Sequence, residues 1–196
     1  MRSERFYGPG ARRVQESMDT VGLADHIAER YVSESVEGAP AEVVAGADCF
    51  YLATADAHGR PDCSYKGGLP GFVRLRGPRE IVFPSYDGNG MFRSLGNVLE
   101  NPAVGLLFID YGRPLKVRVN GDARVLAAGE SPEHFEGADA VVHVAVREVF
   151  ENCPRYLHDV RAAGHSPHAP RAGHTPPEPQ WKKKSEYEGL LRRAAG

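Results

Sequence analysis

Cysteine is scarce in this sequence and poorly placed for cross-linking. Cys49, Cys63 and Cys153 form an odd set with no C-x-x-C pair, which argues against a secreted disulfide framework and against a structural zinc site. The eight histidines and the acidic residues make no H-E-x-x-H or comparable cluster, so no dedicated metal site is expected. Long apolar runs are missing as well. Nothing reaches the roughly 18 residues that a membrane span needs, and no basic opening precedes an apolar leader, so a cytoplasmic location away from the membrane is expected. Excess charge is also lacking: the formal net charge is -2, which removes the general electrostatic reason to meet nucleic acid. The patterns GxGxxG, GxxxxGK[ST] and GxSxG are absent, and with them the usual signatures of dinucleotide folds, P-loops and serine hydrolases.

What is present reads as one domain of short strands. A chain of 196 residues with 41% hydrophobic content can bury one core, and 22 glycines with 15 prolines supply many turns. Residues 11 to 34 carry helical spacing, with Val14 and Met18 four apart and then Leu23, Ile27 and Tyr31 after a break near Gly22. Pro40 suits the first turn of a short helix over 40–46. At Cys49 the texture changes. CFYLATA, turn-rich DAHGRP and DCSYKG read as a hairpin, and FVRL at 72–75 with EIVFP at 80–84 reads as a second. Met91, Leu95, Val98 and Leu99 mark one inserted helix that Asn101-Pro102 ends.

Strand texture resumes at 103–110 and at 115–126, where Leu115, Val117 and Val119 alternate with Lys116, Arg118 and Asn120. GESPEHFEGAD predicts a loop with a short helix, and 141–150 predicts a further strand. Residues 161–180, rich in His, Pro, Ala and Gly, cannot build a core but can lie across a partner. WKKKSEYEGLLRR reads as a terminal helix or a fraying end. The expected organisation is a helical extension over 1–46, a strand-built body over 47–160 and a Pro-rich tail over 161–196.

Asp87-Gly88-Asn89-Gly90 precedes the helix that carries Arg93, Ser94 and Asn97. Glycines allow tight backbone, N–H groups at a helix start attract an anion, and Arg93 and Ser94 add donors. The pattern outlines a phosphate cradle, and from spacing alone it fits a turn with a capped surface helix better. Lys66, between DCSY and Gly67-Gly68, could fold toward such an anion or stand as a surface lysine. Arg118 and Lys116 face either a cleft or solvent, and Trp181 either stacks on a flat ring or pins the tail.

These stretches together resemble the pyridoxamine 5'-phosphate oxidase-like family of split β-barrel flavoproteins, over about residues 47 to 158. The resemblance rests on FYLATADAHGRPDCSYKGGLPGFV, YDGNGMFRSLGNVLENPAVGLLFID, and LKVRVNGDARV followed by VREVFENCPRYL. It implies a mainly β fold, a six- or seven-stranded antiparallel split β-barrel with N-terminal helices and one inserted helix. It also implies a homodimer with two FMN sites at the subunit interface. Lys66, Arg93 and Ser94 look like the family's phosphate ligands, with Asn89 and Asn97 supporting the loop and helix. Ser64 and Tyr65 run beside the ribityl chain or ring, the Arg118 strand lies near the flavin's polar edge, and the tail with Trp181 covers the partner's site. Members closest to the oxidase itself carry an Arg-Lys pair on the inserted helix and an Arg-x-His element near the end. Here Arg93-Ser94 and Trp181-Lys182-Lys183-Lys184 stand instead, and the small-molecule substrate or electron donor is not named. The expected activity is an FMN-dependent oxidoreductase, with a non-catalytic flavin or haem carrier or sensor, or a deazaflavin-dependent reductase, as alternatives.

Overall fold

The computed structural model describes residues 2–86, 90–158, 177 and 180–189. The chain divides into two compact units, residues 1–32 with 155–196 and residues 33–154.

In the first unit α1 (Arg2–Phe6), α2 (Pro9–Ser17) and α3 (Val21–Tyr31) follow one another. Pro9 opens α2, where its missing N–H costs nothing. The break comes at Met18 to Thr20, with Asp19 left-handed at φ 51°, slightly before the break expected near Gly22. Tyr7 Oη donates to the Ala24 carbonyl at 3.1 Å, and Arg12 pairs with Asp25 at 2.7 Å. Val14 and Met18 remain exposed. Of the segment expected as a terminal helix or a fraying end, the described residues form two short 3-10 turns, Gln180–Lys183 and Ser185–Tyr187.

The second unit holds α4 (Gly38–Ala45), β1 (Cys49–Ala55), β2 (Pro61–Gly67), β3 (Arg74–Leu75), β4 (Glu80–Tyr86), α5 (Arg93–Glu100), β5 (Ala103–Asp110), β6 (Leu115–Ala127) and β7 (Ala138–Asn152). All neighbouring strands run antiparallel in one seven-stranded sheet, ordered β2-β1-β5-β6-β7-β4-β3.

This sheet corrects the expectation of a mainly β split barrel: it is open, and the fold is mixed α/β. Closure would need the end strands β2 and β3 to pair, and among the described residues they do not. β3 is two residues long because Phe72 and Val73, expected within it, are buried in the preceding loop instead. So short a strand lacks the backbone groups for a second ladder. The segment from Gly129 to Gly137 contains turns and bends but no helix, contrary to expectation. Pro132 and Gly137, the latter at φ 72°, interrupt any helical run there.

Alternation supplies the core. Phe50, Leu52 and Thr54 of β1, Val104, Leu106 and Phe108 of β5, and Val117 and Val119 of β6 are buried, while the residues between them face out. Phe50 packs edge-on to Phe83 at 4.9 Å and stacked on Phe108 at 5.0 Å. The register slips between Asn120 and Gly121, and a Cβ at Gly121 would run into the Ala145 carbonyl, so the bulge requires glycine. None of the helices described is long and apolar enough to cross a membrane.

Candidate functional site

β2 is an edge strand, and its period of two separates two sets of side chains. Asp62, Ser64 and Lys66 share the face of Thr54, Leu52 and Phe50, their partners on β1, whereas Cys63 and Tyr65 share the outer face with Ala53 and Tyr51. α5 begins beside this strand. Its N-cap, Phe92, is left-handed at φ 46° and ψ 26°, and the turn it makes presents Arg93 and Ser94 toward β2.

Ser64 and Ser94 meet hydroxyl to hydroxyl at 3.0 Å, and Arg93 Nε lies 3.3 Å from Asp62 Oδ1. With Lys66, these four line a cavity of about 410 Å³ whose lining also includes the exposed Tyr65, Tyr86, Met91 and Phe92. Burial pulls the Lys66 ammonium below its usual pKa, against the opposing influence of Asp62. An anion entering the cavity would therefore meet a cation that has already lost part of its hydration. Two cations, two hydroxyls and the first-turn N–H groups of α5 suit a phosphate monoester, and among the described residues lining the cavity Asp62 is the one anion that opposes it.

Ser64, Tyr65, Lys66, Arg93 and Ser94 are thus gathered on one cavity. Asn97 serves the framework: its Nδ2 donates to Thr54 Oγ1 at 2.9 Å, fully buried, and ties α5 to β1. Asn89 lies outside the described residues. Trp181 belongs to the first unit, within Gln180–Lys183, and its side chain is outside what the structure describes.

Arg118 is not among the residues lining that cavity. It stands on the outer face of the sheet, 5.0 Å above the Phe150 ring, and lines a separate cavity of about 540 Å³ with Lys116, Tyr51 and Cys153. Ala53 and Gly105, paired across β1 and β5, give that cavity a low floor. Cys63 lines both cavities.

The sequence reading missed Asp62, Tyr86 and Phe92. Asp62 was open to detection, since it shares the parity of Ser64 and Lys66 on one strand. Tyr86 and Phe92 carry no local signal, because one ends a strand and the other adopts a conformation rare for a bulky residue.

A family model described as pyridoxamine 5'-phosphate oxidase matches residues 37–153. No curated protein matches the sequence. Among solved structures, HupZ of Group A Streptococcus is 20% identical with a TM-score of 0.43, covering 56% of this chain and 88% of its own. HutZ, the haem storage protein of Vibrio cholerae, is 18% identical with a TM-score of 0.40, covering 59% and 93%. An FAD-binding protein of Mesorhizobium loti is 13% identical with a TM-score of 0.42, covering 62% and 99%.

Proposed function

Since the chain belongs to the pyridoxamine 5'-phosphate oxidase family, matched over residues 37–153, we propose that it binds a phosphorylated flavin of the FMN type and acts first as a flavin carrier or sensor. The observation that carries this reading is the convergence of Lys66, Arg93, Ser64 and Ser94 on one cavity. Each of these groups binds or orients an anion, and the Ser64–Ser94 contact holds strand and helix at the spacing a phosphate would bridge. When bound, the isoalloxazine ring would supply the hydride or electron chemistry. The side chains here fix the phosphate, and Tyr65 with Tyr51, ring centroids 5.9 Å apart, offers aromatic surface at the strand edge.

An FMN-dependent oxidoreductase is the second reading. It is favoured by the neighbouring cavity of about 540 Å³, which adjoins the first at Cys63 and carries Lys116 and Arg118; a second, anionic molecule has room there. Homodimerisation goes with either reading, because the outer face presents Tyr51 and Tyr65 exposed beside the low floor at Ala53 and Gly105. A second copy seated there would cover the outer cavity that Lys116 and Arg118 line.

The test is a titration of the purified chain with FMN, followed by absorption, in parallel with sedimentation. The expected result is a bound, oxidised flavin displaced by millimolar inorganic phosphate, on a dimer. Reduction by a nicotinamide nucleotide with turnover of an acceptor would move the oxidoreductase reading ahead of the carrier. Absence of flavin binding by the folded chain would overturn both.

A further inference from the structure

The loop between β6 and β7 folds over the face of the sheet opposite the main core. Phe135 packs there with Val82 of β4 and Val141 of β7 as a small second core, and Arg74 lies 4.0 Å over the Phe135 ring. Glu133 adds ion pairs to Arg74 at 3.2 Å and to Arg76 at 3.1 Å.

In the same region His143 is 1% exposed, flanked across the sheet by Val82 and Arg124. Its Nδ1 is 2.9 Å from Glu80 Oε1, and its Nε2 is 3.1 Å from Ser131 Oγ. Arg124 and Arg76 engage the same carboxylate at 3.4 and 3.8 Å. Burial works to raise the Glu80 pKa, but the bonds from His143 and Arg124 and the Arg76 charge outweigh it, so at neutral pH the carboxylate is ionised and only accepts. A neutral His143 then carries its proton on Nδ1 and aims the Nε2 lone pair at the Ser131 hydroxyl. Anchoring the loop does not account for this arrangement. Phe135 and Glu133 already fasten it, and a buried imidazole with an ionised partner carries a desolvation cost that an apolar side chain of similar volume would avoid.

We propose that Ser131, His143 and Glu80 form a nucleophilic relay that takes the acyl group of a small activated ester and passes it to water, an activity separate from flavin binding. Ser131 is half-buried, so the ester reaches Oγ from solvent. A bond forms between Oγ and the carbonyl carbon while the hydroxyl proton moves to His143 Nε2. The bond from that carbon to the leaving oxygen then breaks, and the leaving oxygen takes the proton. Water next attacks the acyl carbon and gives a proton to Nε2, which returns it to Ser131; the products are a carboxylic acid and an alcohol. Glu80 is a positioning residue that holds the imidazole in the required tautomer. The Glu133 N–H, 3.1 Å from Oγ, is a backbone donor placed to follow the charge to the acyl oxygen.

The test uses full-length wild type, Ser131→Ala and Glu80→Gln, each checked for folding by urea unfolding. A fluorophosphonate probe should attach once per chain with loss of fluoride, at Ser131 by peptide mass spectrometry, and wild type should hydrolyse 4-nitrophenyl acetate faster than buffer does. Ser131→Ala should lose both reactions and keep its FMN affinity. In Glu80→Gln the amide can donate to Nδ1 and drive the proton to Nε2, so labelling should slow by about 100-fold or more. The wild-type labelling rate should fall between about pH 8 and about pH 5, because a protonated imidazole cannot accept the hydroxyl proton; a serine that merely ties down the loop would not show this. No label at Ser131 in the folded wild type, ester hydrolysis by Ser131→Ala at the wild-type rate, or a labelling rate indifferent to pH overturns the relay, and these three outcomes decide it even if Glu80→Gln fails to fold. A folded Glu80→Gln that labels as fast as wild type overturns it as well.

Discussion

Asp62 and Arg93, which line the same cavity, form an ion pair with 3.3 Å from carboxylate to guanidinium. The pair neutralises the cation that the cavity would offer to a phosphate, and any bound anion must either displace the carboxylate or share the guanidinium with it.

Replacing Asp62 with Asn should therefore tighten FMN binding, by about 3- to 10-fold, since a repelling charge is removed and Arg93 is released. Stability should move by no more than about 1 kcal/mol, because the pair is solvent-accessible. Calorimetric titration with FMN checks the first expectation and urea unfolding the second.

A different outcome is expected at Asn97. Its buried amide is bonded to Thr54, so Asn97→Ala leaves that hydroxyl unsatisfied and should destabilise the fold by about 1–3 kcal/mol. Combining Asn97→Leu with Thr54→Val should recover part of the loss, since neither partner is then left unpaired. Chemical denaturation of the single and double variants measures both effects.

At the far side of the sheet, Glu80 receives His143 Nδ1 at 2.9 Å and Arg124 at 3.4 Å, with Arg76 at 3.8 Å. Burial alone would raise the Glu80 pKa, but the bonds from His143 and Arg124 and the Arg76 charge more than offset it, and the carboxyl is held below its usual value of 4.5. A carboxyl lowered on folding contributes stability that is fully present above 4.5 and is lost as pH falls through its folded value. The stability gap between wild type and Glu80→Gln should then narrow as pH drops below that point. Urea midpoints taken from pH 6 downward on both proteins give the comparison.

Phe92→Gly should raise or leave unchanged the stability of the free chain. Relief of the left-handed phenylalanine is worth about 1–2 kcal/mol, and the extra chain entropy of glycine returns about 0.5–1 kcal/mol of it. Thermal unfolding without ligand is the measurement.

Local pattern revealed much of this molecule. LKVRVN alternates, and β6 forms there with Val117 and Val119 buried and Arg118 out. DCSYKG reads as the second strand of a hairpin, and Ser64 and Lys66 of β2 line one cavity with Arg93 and Ser94 of the inserted helix. Closure of the sheet was beyond such reasoning, because it depends on whether β2 and β3 meet, and that was decided by Phe72 and Val73 turning inward in a loop. Parity placed Arg118 on the polar face of β6, yet not in which cavity, since two cavities on opposite sides of an edge strand look alike in sequence. The left-handed turn at Phe92 likewise carries no local signal in the sequence.

The most direct test of the account is FMN and riboflavin titration of wild type, Lys66→Ala, Arg93→Ala and Ser94→Ala, because riboflavin differs only in lacking the phosphate. Loss of a charged donor should weaken FMN binding by about 10- to 150-fold, with Arg93→Ala costing more than Ser94→Ala, and should leave riboflavin nearly unaffected. Equal FMN affinities across the four folded proteins, or equal losses for both ligands, would contradict a phosphate held by these residues.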